Sequence, residues 1–187
     1  MGSSSEAAAG WVRPGAEVRR GPPVLRRGPP VALPQKLKSA WRLQPNDSSS
    51  MLTDILIAST DDAPQILSAA PGSWPRLQFN SLDNVALAGL WAALGATAEA
   101  TDFEGEKHLL AHTSERWVFE FPQDFVRRLS ALQPAGIKDV AALWATHDEI
   151  ARMGASGPAI EPVVDSVSGF ARQATGENKS LLLFMSL

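Results

Sequence analysis

The last eight residues, Ser180-Leu181-Leu182-Leu183-Phe184-Met185-Ser186-Leu187, limit the fold more than any other part of the chain. Successive side chains of a strand point to opposite faces, so an unbroken apolar run presents apolar surface on both. Such a strand is stable only where both faces are covered, which is the situation of a central strand in a layered domain. The segment is too short to span a membrane as a helix. It is therefore expected to be structural, and a charge at Leu183 is expected to cost several kcal/mol.

The elements before it follow from pattern and turn chemistry. Thr53 to Ser59 is a short apolar run bounded by polar residues and predicts a buried strand. Asp61 and Pro64 open a short helix carrying Ile66 and Leu67, which Pro71-Gly72-Ser73-Trp74-Pro75 ends. Leu77 to Asn80 alternates as a second strand. Val85, Leu87, Leu90, Trp91 and Leu94 form a helical stripe that Ser81 or Asp83 can cap, with Gly95 placed for a left-handed end. His108 to His112 and Trp117 to Phe121 suit a strand pair turning at Thr113 to Glu115. Pro122 is placed as the first residue of a helix bearing Phe125, Val126, Leu129 and Leu132. Further stripes run over Ile137, Val140, Ala141 and Trp144, and over Val163, Val167, Phe170, Ala171 and Ala174. The order β-α-β-α-β-β-α-α-α-β predicts an α+β fold, a mixed sheet of about five short strands covered by four to five helices.

Residues 1–50 have a different composition. They hold seven of the 14 prolines, mixed with Gly, Ser and Arg, and proline both removes a backbone donor and blocks helix continuation. A disordered Pro/Arg-rich arm is expected, carrying a twofold repeat, Arg19-Arg20-Gly21-Pro22-Pro23-Val24 and Arg26-Arg27-Gly28-Pro29-Pro30-Val31. Met51 follows three serines and precedes the first strand, as a natural start would. On that reading the arm is expected to be a vector-derived leader or the product of a misassigned start, and residues 51–187 are expected to form a single α+β domain.

Charge divides at the same point, with a net +5 before Met51 and −8 from Met51 onward. An acidic domain repels nucleic acid and anionic headgroups, and its basic residues form no run, so nucleic-acid binding by the folded part is not expected. Trp11 and Trp41 could stack on bases if the arm served as a tether for nucleic acid or an acidic partner. The absence of cysteine excludes disulfides, thiolate nucleophiles and Cys-ligated metals. No apolar stretch in the sequence reaches membrane-span length, so neither a membrane partner nor a membrane location is expected.

The weak metal candidates are His108 and His112, with Glu104, Glu106 and Glu115 nearby. A spacing of four puts two ligands on one face of a helix, but in a strand it separates them by roughly 13 Å, too far to share one ion. Solvated histidines are the alternative. Asp61-Asp62 after the first strand resembles the acidic Mg2+ pockets of receiver-like domains, yet helix capping accounts for the same pair. Gly154-Ala155-Ser156-Gly157 is one residue short of a nucleophile elbow. His147-Asp148-Glu149 lies at a helix end, where histidine complements the dipole. Trp91, Trp117 and Trp144 are expected in the core and Trp74 in an exposed loop. No glycine pattern cradles a nucleotide, and no cofactor is expected.

Trp117-Val118-Phe119-Glu120-Phe121-Pro122, the helix Asp124 to Leu132, and the ending from Phe170 through Leu187 resemble a family of small uncharacterised bacterial proteins, and more distantly the YfbM-like family, over about the last seventy residues. The resemblance lies in packing positions. It implies a bacterial cytoplasmic α+β protein and carries no catalytic residue across. The functional expectation is a non-enzymatic cytoplasmic binding or accessory protein with a protein or small-molecule partner. The alternatives are a small metal-dependent or hydrolytic enzyme using the His108/His112 region, and a tether acting through the basic arm.

Overall fold

The computed structural model describes residues 51–69, 71–80, 82–97, 103 and 106–187, so the expectations about the arm of residues 1–50 fall outside it. One five-stranded sheet is built from β1 (Leu52–Ala58), β2 (Arg76–Asn80), β3 (Leu109–His112), β4 (Arg116–Glu120) and β5 (Ser180–Ser186). Their order across the sheet is β2-β1-β5-β4-β3. The α-helices among the described residues are α1 (Ala63–Ser68), α2 (Asn84–Ala93), α3 (Gln123–Ala131), α4 (Pro134–Trp144), α5 (Asp148–Arg152) and α6 (Gly157–Gly176). The α+β class and the five strands agree with the sequence pattern. The helix count rises to six because α5 is a separate five-residue turn, too short to show a period.

The sheet is antiparallel at every pairing, which corrects the expectation of a mixed one. Glu120 at the end of β4 lies beside Leu182 near the start of β5. The helical excursion between them therefore leaves and re-enters the sheet at the same end. Apolar periodicity fixes which face a residue occupies and carries no information on strand direction, and a connection of this length fits either direction.

β5 is the central strand. Leu183 sits between Ile55 of β1 and Phe119 of β4, and Leu181 to Met185 are all buried. Leu181, Leu183 and Met185 join Ile55, Ile57, Leu77, Phe79 and Phe119 in the larger core, beneath the helices. Leu182 and Phe184 face the other way, with Leu56, Ala58 and Val118, and meet Ala63 and Ile66 of α1. Two apolar layers thus enclose the strand, and each such side chain contributes about 1.5–3 kcal/mol on burial.

The helices dock by short-range chemistry. Asp83 accepts a hydrogen bond from the Ala86 N–H (2.8 Å) and starts α2, which closes at Gly95 with φ +84°. Pro122 proves to be the extended residue just before α3 and not its first helical one. Trp91 of α2 stacks on Phe125 of α3 with centroids 5.4 Å apart, and Phe103 and Phe121 complete that cluster. Trp91 and Trp144 are core residues as expected, and Trp117 packs half-buried against the core. Trp74 is also half-buried and not exposed, because its indole N–H donates to Asp62 (3.3 Å). α6 packs against α3 and α4, approaching so closely that a Cβ on Gly157 would lie 3.1 Å from the Ala142 Cα.

Candidate functional site

The structure separates most of the reactive residues picked out from the sequence. His108 ends a 3-10 turn (Glu106–His108), its ring 6.3 Å from that of Phe103, while His112 is the exposed last residue of the edge strand β3. Glu104 lies outside the described residues, and Glu115 is exposed in the β3–β4 turn. Among the described residues no group of three or more His, Asp or Glu side chains gathers as a metal site. At Asp61-Asp62 the cap is Ser59, whose hydroxyl accepts from the Asp61 N–H, while Asp62 accepts from the Ser59 N–H (3.1 Å) in return. That is a reciprocal capping box, with Asp62 in the returning role. Gly154 ends α5 at φ +68°, and Gly157 opens α6. His147 precedes α5, and its ring lies so close over Gly89 of α2 that a Cβ there would be 2.5 Å from the imidazole Cγ.

Polar side chains converge instead at the end of the sheet where β4 leaves and β5 enters. A cleft of about 340 Å³ opens between α3 and the turn joining α6 to β5. Gln123, Arg127 and Ser130 line one wall, at spacings of four and three that set them on one face of α3. Thr175, Asn178 and Lys179 form the opposite wall, and Phe121, Val126 and Leu181 supply an apolar floor. Asn178 adopts φ +51°, the left-handed conformation that asparagine tolerates, and this turns the chain out of α6 into β5. Glu120 and Ser180, facing ends of adjacent strands, close the cleft through a 2.9 Å hydrogen bond from the serine hydroxyl to the carboxylate.

The charges around the cleft are unequally committed. Asp124, one turn before Arg127 and Arg128, accepts from the Arg128 Nε (2.6 Å), the Trp91 indole (3.2 Å) and Arg127. The Arg128 hydrogen bond above all, helped by Trp91 and the charge of both arginines and opposed by burial, holds its carboxyl below the usual Asp range. Arg128 also donates to the Leu94 carbonyl (3.0 Å) and so ties α3 to the end of α2. Arg127 adds nothing to that tie, and its side chain is 76% exposed. Lys179 lies 3.3 Å from Glu177, whose pKa is lowered first by the Gln173 hydrogen bond and then by Lys179. The Ser130 and Thr175 hydroxyls donate to the Arg127 and Ala171 carbonyls, which leaves their oxygens free to accept.

A second polar feature lies mid-sheet. Asp54 of β1 is only 3% exposed, on the same face as Leu56, with one carboxylate oxygen 3.5 Å from Arg76 and the other without a hydrogen-bond partner among the described residues. Burial pushes its pKa up, against a smaller opposing pull from Arg76. The folded state then holds this proton to higher pH than the unfolded chain does. Stability accordingly falls as pH rises from the unfolded Asp value through the folded one, and stays reduced above it. Asp54→Asn is expected to stabilise the protein at pH 7 by about 1 kcal/mol, a gain that disappears as pH falls below the ordinary Asp value of about 3.9. Urea melts of both proteins across that range check it, and a gain independent of pH would show that ionisation is not the cause.

No family model matches the chain, and no curated protein or solved structure matches it significantly. The cleft residues Gln123, Arg127 and Ser130 lie on the polar side of α3, which its apolar stripe of Phe125, Val126, Leu129 and Leu132 does not mark out. The stripe at 123, 127 and 130 was a visible signal, whereas its apposition to residues 175–180 is a product of the fold.

Proposed function

We propose that the chain is a non-enzymatic cytoplasmic binding protein that holds a small polar molecule in the cleft between α3 and the α6–β5 turn. The observation that carries this reading is the convergence of two cations, Arg127 and Lys179, and two carboxamides, Gln123 and Asn178, above an apolar floor. Polar groups gathered over apolar surface at the end of a rigid sheet are the usual build of a small-ligand site, and a volume of about 340 Å³ is at the small end of such sites. Binding is favoured over catalysis by the state of the hydroxyls. Those of Ser130 and Thr175 are spent on main-chain carbonyls and that of Ser180 on Glu120, while all three histidines, 108, 112 and 147, lie on other elements. A serine or threonine nucleophile needs a positioned base to take its proton, and the one beside Ser180, the Glu120 carboxylate, is a much weaker base toward a hydroxyl than the imidazole that usually does this work. Among the described residues no helix is long and apolar enough to cross a membrane.

Thermal-shift screening of the full chain against amino acids, organic acids, sugars and sugar phosphates tests the proposal. A ligand at a hundred times its Kd should stabilise by about 2.7 kcal/mol, raising Tm by several degrees. The Arg127→Glu/Lys179→Glu protein, with its circular dichroism unchanged, should lose that rise. A ligand whose effect survives the double substitution binds elsewhere, and the proposal then fails.

A further inference from the structure

We infer that the ligand of this cleft is a small organic anion, a carboxylate or phosphate, that also carries hydroxyl or amino groups. The inference rests on the binding role proposed above and adds the ligand's chemistry. The lining carries two cations, Arg127 and Lys179, and one carboxylate, Glu120, half of which is already engaged by Ser180. Neither cation ties one element to another: Arg127 pairs with Asp124 of its own helix and Lys179 with Glu177 of its own turn. Asp124 meets two guanidiniums and an indole with a single negative charge, and of these Arg128 is the one locked in place by a second hydrogen bond, to Leu94. Arg127 is therefore the surplus charge. The Lys179–Glu177 pair is exposed on both sides, at 45% and 39% of the side-chain surface, and exposed pairs contribute little in water. An anion entering the cleft can take up both cations without breaking a structural tie. Charge-assisted hydrogen bonds to guanidinium and ammonium are the strong kind, which makes the acid group the anchor.

The rest of the lining asks for donors. With their own protons directed at main-chain carbonyls, the Ser130 and Thr175 oxygens can only accept, and so can the second oxygen of Glu120. A bare anion leaves all three unmatched, while a hydroxylated or aminated acid supplies them. A polyanion is disfavoured, because the domain around the cleft carries a net charge of −8 from Met51 onward.

Amide NMR of the full chain, with titrations of inorganic phosphate, glycerol 3-phosphate, glycerate, glycerol and ethanolamine, provides the test. Glycerol 3-phosphate or glycerate should shift the amides of residues 123–130 and 175–181, and whichever binds more tightly identifies the acid group. Glycerol and ethanolamine should leave these amides unmoved, and inorganic phosphate should bind at least tenfold more weakly than the better acid. Arg127→Gln and Lys179→Gln should each weaken that acid about tenfold. Equal binding of glycerol or ethanolamine at these amides would overturn the anionic assignment while leaving a binding cleft in place. Equal binding of phosphate would overturn the requirement for donors. If no probe moves these amides while the thermal screen finds a ligand that does, the chemistry inferred here is wrong; if nothing moves them, the binding role falls as well.

Discussion

Leu183→Asp is expected to abolish cooperative folding. Leu183 is fully buried at the middle of the central strand, between Ile55 and Phe119, on the face that carries the larger core. Removing a buried leucine side chain costs about 2–5 kcal/mol through lost transfer energy and the cavity left behind. A carboxyl at the same place must also be taken out of water, which adds several kcal/mol whether it stays charged or is forced to protonate. The sum reaches the whole stability of an ordinary domain, about 5–15 kcal/mol. Leu183→Ala, which lacks the second contribution, should still melt cooperatively with a lower midpoint. The pair of variants separates loss of packing from burial of charge. A soluble Leu183→Asp protein with a single sharp thermal transition would mean that β5 is not the enclosed strand described above.

The reason this strand was legible in the sequence also explains what was not. Five successive apolar residues from Leu181 to Met185 have only one stable environment, and the sheet supplies it. The same local logic recovered β1, the stripes of α2, α3, α4 and α6, and Gly95 at its left-handed position. Strand direction was lost because it depends on how many times the chain crosses the layer between Glu120 and Ser180, and the one-turn α5 that helps set that number has no period to read. Asp54 was visible as a polar residue inside an apolar run, but the burial of its side chain depends on β2 and β5 flanking β1. The cleft is the extreme case, since its two walls are about fifty residues apart in sequence and meet only because β4 and β5 are neighbours. His108 and His112 drew notice through their spacing, a helical criterion, yet they sit on a 3-10 turn and a strand. The fold was thus accessible from local pattern, while the candidate site depended on contacts between distant segments.

Trp144→Ala should be the next most damaging change, with a loss of about 3–5 kcal/mol. Trp144 heads the fully buried side chains and ends the apolar stripe of α4, and its indole N–H donates to the Ala86 carbonyl of α2 over 2.8 Å. Three residues further along the chain from each partner, just beyond the end of α4, the His147 ring lies against Gly89 of α2. The α4–α5 corner is therefore fastened to α2 by one polar tie and one close approach, and the indole that makes the tie is fully buried. Trp144→Phe keeps most of that volume and loses the hydrogen bond, so it should cost only about 1–2 kcal/mol. Urea unfolding of the three proteins checks the order. Neither Trp144 nor His147 lines the cleft at Arg127 and Lys179, so Trp144→Phe should bind the cleft's ligand as the parent does while unfolding at lower urea. Equal losses in the alanine and phenylalanine variants would assign the corner's stability to the hydrogen bond, and a loss below 1 kcal/mol in both would show that α2 is held by the Trp91–Phe125 stack on its other side.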